Sequence, residues 1–222
     1  MQREVPDEIT LPMMREALYS AVMCDALDQL GYPNQSPRVQ LPPLTVETVL
    51  VGRAKTTLWA DMFHQDPQPY ALELEAVDSC REDEVLVAAA AGSMRSGIWG
   101  ELLSTAARNR GCVGAVVDGA VRDVQKMKGM EFPVFARAVC VYDSRDRQRV
   151  IDLDVPVMID GVEFAPGDLV IADVDGVVVV PQAIEAEAIR AAWQKVHAEN
   201  HVRDAIRNGM GAVEAFEKWG VL

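Results

Sequence analysis

The side chains best suited to chemistry lie near the middle of the chain, in the stretch GSMRSGIWGELLSTAARNRGCVGAVVDGAVRD at residues 92–123. Its last turn, DGAVRD, places Asp118, Arg122 and Asp123 just after an apolar run that predicts a buried strand. Ligands collect at strand ends in α/β folds. An arginine can hold a carboxylate or carbonyl oxygen through two hydrogen bonds, and an aspartate can bind a hard divalent cation such as Mg²⁺. For the Arg-Asp pair alone, a surface ion pair at a turn remains an open alternative.

A second candidate lies earlier in the same stretch, where a glycine-bearing loop is predicted to enter a helix at GELL. The first amide groups of a helix have no partner within the helix, and they favour an anion such as a carboxylate. Leu102 and Leu103, which follow Gly100, would supply these N–H groups. Glu101 adds an acid beside them, although a first-turn acid also fits an ordinary helix start that complements the helix dipole.

Other catalytic signatures are absent from the sequence. It contains no G-x-S-x-G, no P-loop and no H-E-x-x-H. The glycines of VGAVVDG fall inside a predicted strand, which argues against a dinucleotide site, and Lys55 is only a weak candidate for Schiff-base chemistry. The cysteines form no CxxC pair and have no histidines at matching spacing. This favours small buried thiols in a reducing compartment over a zinc site.

The elements that must position these residues alternate between helix and strand through the first two thirds of the chain, and hairpins dominate the last third. Helices are predicted over residues 12–30, 67–77, 100–110 and 121–128, and from 184 to 222 with a break at Asn208-Gly209. Strands are predicted over residues 45–59 (one strand or a pair), 84–90, 112–117, 134–141 and 177–180, with turns at Asp160-Gly161, at 166–168 and at Asp175-Gly176. The predicted fold class is therefore α/β, a layered αββα-type sandwich with a mixed sheet, formed by residues 1–222 as a single domain.

Composition and charge argue against some classes of binding partner. The chain has 222 residues and a formal net charge of −13, which argues against a broad basic surface for nucleic acid or an anionic membrane. The N-terminal MQREVPDEIT does not have the form of a secretory signal, and the longest apolar runs are too short to span a bilayer. We therefore expect a cytoplasmic protein that binds a small molecule. That molecule can be an anion, because one arginine or metal ion suffices to bind it.

The segment GELLSTAARNRGCVGAVVDGAVRD resembles the signature of the RraA-like family, in which an acidic residue is followed after a set spacer by Arg-Asp. Here these positions are Glu101, the spacer at residues 102–121, and Arg122-Asp123. The resemblance extends to CDALDQLG, FPVFARAV, GVEFAPGDLVIADVDGVVVVP and AENHVRDAI, and so covers nearly the whole chain. The family contains class II pyruvate aldolases acting on 4-hydroxy-4-methyl-2-oxoglutarate and 4-carboxy-4-hydroxy-2-oxoadipate. It also contains the regulator of ribonuclease E activity.

For the site, the resemblance implies that Asp123 binds Mg²⁺ or Mn²⁺ directly and that Glu101 holds a water on the metal. Arg122 would hold the oxo acid and stabilise the developing enolate, and the N–H groups of Leu102 and Leu103 would cradle its carboxylate. The well-studied aldolases have an aspartate where this chain has Glu101. The longer side chain keeps the charge but shifts the water, so the substrate could differ.

The resemblance also implies a site shared between subunits. The aldolases take a glutamate from the C-terminal region of a neighbouring subunit, and Glu199 in AENHVRD is the best match here. Like Glu101, it would bind the metal through water. The expected assembly is a homotrimer or a hexamer.

The activity implied is that of a divalent-metal-dependent lyase that cleaves a 4-hydroxy-2-oxo acid to pyruvate, with oxaloacetate decarboxylase activity beside it. The alternative is a non-catalytic RraA-type binding protein that regulates a ribonuclease. The complete acid–Arg–Asp set favours the enzyme. A methyltransferase is disfavoured, since no glycine-rich loop suits S-adenosylmethionine. The natural substrate stays open: Arg95 and Arg145 could each contact a second carboxylate or simply be solvated.

Overall fold

The computed structural model describes residues 6–220, over which the chain forms seven α-helices and ten strands. The helices are α1 (Leu11–Ala17), α2 (Ser20–Gln29), α3 (Ala71–Asp78), α4 (Glu101–Asn109), α5 (Val124–Met127), α6 (Glu185–Arg207) and α7 (Ala212–Trp219). The strands are β1 (Leu50–Asp61), β2 (Glu84–Ala89), β3 (Gly97–Trp99), β4 (Gly114–Val121), β5 (Val134–Val139), β6 (Gln148–Leu153), β7 (Val157–Ile159), β8 (Val162–Phe164), β9 (Leu169–Asp173) and β10 (Gly176–Val180).

Eight strands form one mixed sheet in which the order β10-β9-β1-β2-β4 continues to β5. The pairs β1–β2, β2–β4, β3–β4 and β4–β5 are parallel. Strands β9 and β6 pair antiparallel with the two halves of β1, and β10 pairs antiparallel with β9. The predicted mixed sheet is confirmed. Because β1, β2, β4 and β5 run parallel, their C-terminal ends lie at the same edge of the sheet. The predicted site residues follow β4 at this edge.

The two faces of the sheet bury different partners because side chains alternate along a strand. Leu86 and Ala88 of β2 face a cluster shared with α3, α4 and α5. Val85 and Val87 face the opposite cluster, which includes the β7–β8 hairpin. A third cluster packs α1, α2 and α6 against β9 and β10. The result is the layered α/β fold that the sequence predicts.

The single helix predicted over residues 12–30 is wrong, since the structure contains two. Leu18 and Tyr19 are extended and separate α1 from α2. The new helix begins at Ser20, whose backbone N–H and hydroxyl donate to the two carboxylate oxygens of Asp173 at 2.7 and 2.6 Å. The cap therefore comes from a residue far along the chain, which no local capping pattern indicates.

Strand β4 also differs from its prediction. It continues to Val121, so Asp118 lies inside the strand, only 1% exposed and paired with Arg137, rather than in a turn. Strands β3 and β6 were not predicted, whereas the helix break at Asn208-Gly209 is confirmed. Within the described chain, no helix combines the length and apolar character that a bilayer crossing needs.

Candidate active site

The Arg-Asp pair lies directly after β4, between two neighbouring chain segments. All eight residues of β4 are buried. Beyond them, the backbone N–H of Arg122 donates to the carbonyl of Trp99 in β3 at 2.8 Å, and the N–H of Cys140 donates to the carbonyl of Val121 at 2.9 Å. Asp123 then adopts a left-handed backbone conformation, with φ 58°. Since few non-glycine residues adopt this conformation, it marks a position worth a functional explanation.

Two glycines let β3 and α4 approach the pair closely. A Cβ on Gly97 would lie 2.5 Å from the Cys140 carbonyl oxygen and 2.9 Å from Cβ of Arg122. A Cβ on Gly100 would lie 2.7 Å from Oδ2 of Asp123. The Asp123 carboxylate therefore occupies the space that a side chain at the residue before α4 would fill. This brings it beside the helix N-terminus that carries Glu101.

The first turn of α4 presents backbone amides without a side-chain cap. Gly100 has no side chain to accept from them, and the first bond within the helix runs from the N–H of Ser104 to the Gly100 carbonyl. The amides of Leu102 and Leu103 are thus among those a bound carboxylate could satisfy. Leu102 is 74% exposed, while Leu103 packs against the core.

The Arg122 guanidinium lies between two carboxylates. Its Nη1 is 2.7 Å from Oδ2 of Asp143, and its Nε is 3.8 Å from Oδ2 of Asp123. Asp143 belongs to residues 140–147, here called the Asp143 loop, which connects β5 to β6. About a third of the Arg122 side chain remains exposed, so the site holds an oriented cation that a substrate can reach.

The carboxylates near the start of α4 are of the kind that binds a divalent cation. Asp123 is 40% exposed at its side chain, and Glu101 starts α4 with Oε1 accepting from Thr105 at 3.3 Å. Within residues 6–220 no group of three or more His, Cys, Asp and Glu side chains forms a metal cage. Two hard carboxylates suit Mg²⁺ or Mn²⁺, because Mg²⁺ commonly binds through one or two carboxylates and keeps several waters. They do not suit a closed zinc site.

Glu199 lies elsewhere in the subunit, on α6. Its Oε2 accepts from the Tyr19 hydroxyl at 2.6 Å, and Lys195 and Arg203 lie 4.0 Å from its oxygens. Burial, then the hydrogen bond to Glu199, raises the pKa of Tyr19 to about 12, so this phenol remains a neutral donor. The structure thus joins Glu199 to Tyr19, between α1 and α2, rather than to Asp123 of the same chain. Its contribution to a neighbouring subunit stays a prediction.

The two arginines of open role lie on exposed loops. The guanidinium of Arg95 stacks on the ring of Phe63 at 4.2 Å from the centroid. The side chain of Arg145 is 61% exposed and lies 4.0 Å from Asp146. Only the backbone of Arg145 takes part in the site, through its N–H to Asp143.

Residues 20–179 match the profile of the RraA-like family, described as Aldolase/RraA. This chain belongs to the RraA-like family. A Halalkalibacterium halodurans relative, provisionally named 4-hydroxy-4-methyl-2-oxoglutarate aldolase, is 31% identical over 193 residues, covering 86% of each chain. Protein DlpA of Legionella pneumophila is 27% identical over 95% of this chain, which spans 34% of that protein.

Solved structures of other proteins share the fold. An uncharacterised protein from Pseudomonas syringae superposes with a TM-score of 0.83 at 28% identity, over 98% of this chain and all of its own. RraAS2 of Streptomyces coelicolor, described as an unusual member of the RNase ES inhibitor RraA protein family, superposes with a TM-score of 0.77 at 28% identity, over 90% of this chain and 98% of its own. The recognition made from the sequence is confirmed.

Several residues around the candidate site carry no signal in the sequence. Tyr70 and Glu73 come from the region of α3 and contact Asp143 and Ser144 of the Asp143 loop. Glu73 is 9% exposed. Burial raises its pKa to about 7, assisted by the charge of Asp143 and opposed by the Ser144 hydrogen bond and the charge of Arg122. No local motif marks these contacts, because about seventy residues separate the partners.

Proposed function

We propose that this RraA-like protein is a lyase that cleaves a 4-hydroxy-2-oxo acid, similar to 4-hydroxy-4-methyl-2-oxoglutarate, into pyruvate and a second carbonyl compound with the help of Mg²⁺ or Mn²⁺. The observation that carries the proposal is the close approach of the end of β4 to the start of α4. There the Asp123 carboxylate fills the space left by Gly100, beside uncapped helix amides and an oriented Arg122.

The chemistry follows from the charge that forms when the bond between C3 and C4 breaks. The products are a carbonyl compound and the enolate of pyruvate, which is a high-energy anion. A divalent ion, held by Asp123 and through water by Glu101, would supply Lewis-acid stabilisation of this charge. The Arg122 guanidinium adds donors aimed at the 2-oxo oxygen, where the negative charge develops.

The remaining steps belong to binding and proton transfer. The N–H groups of Leu102 and Leu103 hold the substrate carboxylate. The 4-hydroxyl must lose its proton as the bond breaks, and Glu101 accepts it through an intervening water. Loss of CO₂ from oxaloacetate gives the same enolate, so we expect decarboxylation of oxaloacetate to accompany the aldol cleavage.

A second candidate is a regulatory binding protein without catalysis. The likeness to RraAS2, described as a member of a ribonuclease-inhibitor family, favours this candidate. Such a protein acts by surface contact, and its activity would be indifferent to metal chelation. The presence of Glu101 together with Arg122 and Asp123 supports the lyase instead.

The deciding experiment is an assay of pyruvate release from a panel of 4-hydroxy-2-oxo acids and oxaloacetate. We expect turnover with Mg²⁺ or Mn²⁺, complete loss after exhaustive chelation, and recovery when either metal is restored. Asp123→Asn should be inactive, and the matched control Asp152→Asn, at an exposed position of β6, should keep wild-type activity. Full turnover in the chelated protein would contradict the metal, and no pyruvate from any substrate would contradict the lyase.

A further inference from the structure

The Asp143 carboxylate links the proposed catalytic arginine to helix α3. Its Oδ2 forms an ion pair with Nη1 of Arg122 at 2.7 Å. Its Oδ1 accepts from the Tyr70 hydroxyl at 2.6 Å and from the backbone N–H of Arg145 at 2.8 Å. Three groups therefore hold the Asp143 carboxylate, and of these Arg122 is the one that belongs to the proposed active site.

The charge state of this group suits a permanent contact. Burial opposes ionisation of Asp143, but hydrogen bonds from Tyr70 and from the Arg145 backbone, with the charge of Arg122, lower its pKa below the ordinary 3.8. Burial, followed by the Asp143 contact, raises the pKa of Tyr70 to about 12. Near neutral pH, Tyr70 is therefore always the donor and Asp143 always the acceptor.

Tyr70 is held in place at some conformational cost. It precedes α3 with φ 66°, in the left-handed region, where a bulky aromatic residue is a true outlier. Strain of this kind persists when surrounding contacts require it, and it clusters at functional positions. One turn later, in α3, Glu73 accepts from the Ser144 hydroxyl at 3.1 Å, so Tyr70 and the first turn of α3 contact two successive residues of the Asp143 loop.

We propose that Asp143 and Tyr70 are positioning residues of the lyase, which hold the Arg122 guanidinium in the orientation that meets the developing enolate oxygen. The inference rests on the proposed function. A free arginine side chain samples many rotamers and loses that freedom when it is fixed in one orientation. Holding it before the substrate arrives avoids that loss in the transition state, which is the sense in which preorganised donors accelerate a reaction.

The primary test compares Asp143→Asn and Tyr70→Phe with the wild-type enzyme, using pyruvate release in the presence of Mg²⁺. We expect kcat to fall roughly 10- to 100-fold for Asp143→Asn, by analogy with the loss when the orienting partner of a metal ligand is replaced. Tyr70→Phe should cost less, because it acts on Arg122 only through Asp143. In both variants kcat should change more than KM, since the orientation matters most in the transition state. Asp152→Asn and Tyr32→Phe, at exposed positions, serve as controls.

A double-mutant cycle separates positioning from a general structural role. In an Arg122→Lys background the planar guanidinium is gone, so Asp143→Asn should add little further loss of kcat. A role in folding or loop stability would instead multiply the two losses. If Asp143→Asn does not fold, Tyr70→Phe, which keeps the carboxylate, takes its place in the same cycle.

The outcomes distinguish this inference from the function beneath it. An active wild type with Asp143→Asn and Tyr70→Phe within about twofold of its kcat, or with multiplicative losses in the cycle, overturns the positioning role and leaves the lyase intact. A metal-loaded wild type that releases pyruvate from no substrate overturns both.

Discussion

At the scale of single residues, Arg122 has contacts that an ordinary surface arginine lacks. Two carboxylates contact different nitrogens of its guanidinium, and about a third of the side chain stays open. Exposed ion pairs contribute little to stability, typically about 0.2–1 kcal/mol. The value of this arrangement therefore lies in where it holds the cation and not in the free energy of folding.

Arg122→Lys tests that reading. Lysine keeps the charge but loses the planar fork, and removing one oriented donor to a developing oxyanion typically costs roughly 100- to 1,000-fold in kcat. We expect a loss on that order for Arg122→Lys and a larger one for Arg122→Ala, with thermal unfolding nearly unchanged. A folded Arg122→Ala variant with wild-type kcat on every 2-oxo acid would locate the site elsewhere.

Glu73 gives a pH-dependent prediction of stability. Its pKa is about 7 in the folded protein and 4.5 ordinarily, so the protonated carboxyl contributes stability below pH 4.5 that is lost as the pH rises through 7. Glu73→Gln stays neutral throughout. From pH 5 to pH 8, we expect its free energy of unfolding to improve relative to wild type by about 2 kcal/mol. Urea unfolding of both proteins at pH 5 and pH 8 measures this change. If the difference in unfolding free energy between Glu73→Gln and wild type is the same at both pH values, the raised pKa of Glu73 is contradicted.

At the scale of elements, the two glycines beside the site predict opposite outcomes. Gly100→Ala would meet side chains alone, with Oδ2 of Asp123 at 2.7 Å and Cγ of Arg122 at 3.2 Å. It should cost less than about 1 kcal/mol of stability yet displace the carboxylate, so metal-dependent turnover should fall sharply. Gly97→Ala would meet the backbone of Cys140, and it should destabilise by about 1–3 kcal/mol. Urea unfolding and pyruvate assays on both variants check the contrast; equal stability losses would contradict it.

Element prediction from the sequence succeeded where a pattern is local. The apolar run of β2 and the Asp160-Gly161 hairpin turn are examples, and both are confirmed. It failed where the deciding contact is distant. The start of α2 depends on Asp173, and β6 has alternating polar residues that become a strand only by pairing with β1.

The candidate site shows the same division between local patterns, which the sequence predicts, and distant contacts, which it does not. Arg122 and Asp123 could be found because they follow β4 in the sequence, and their roles stay predictions. The contacts of Tyr70 and Glu73 with the Asp143 loop could not, since they depend on how α3 packs beside β6. A strained tyrosine and a buried glutamate leave no spacing pattern in one sequence.

At the scale of the whole molecule, the open issue is assembly. We predict a homotrimer or hexamer in which Glu199 of one subunit approaches Asp123 of the next, and light scattering measures this. The structure holds Glu199 through Tyr19, which would orient it for such a role. Mixing and reassembling the inactive Glu199→Ala and Asp123→Ala proteins should restore part of the activity. A stable, fully active monomer would contradict the shared site.

The Asp143 loop should open at a lower temperature than the sheet beneath it. Val141 and Tyr142 are exposed, and the loop is joined to the neighbouring α3 region through polar side-chain contacts, whereas β4 is buried along its whole length. Segments held in this way open at lower free energy than the core that carries them. On warming, catalysis should therefore fade while the sheet is still native, and it should return on cooling without any refolding phase.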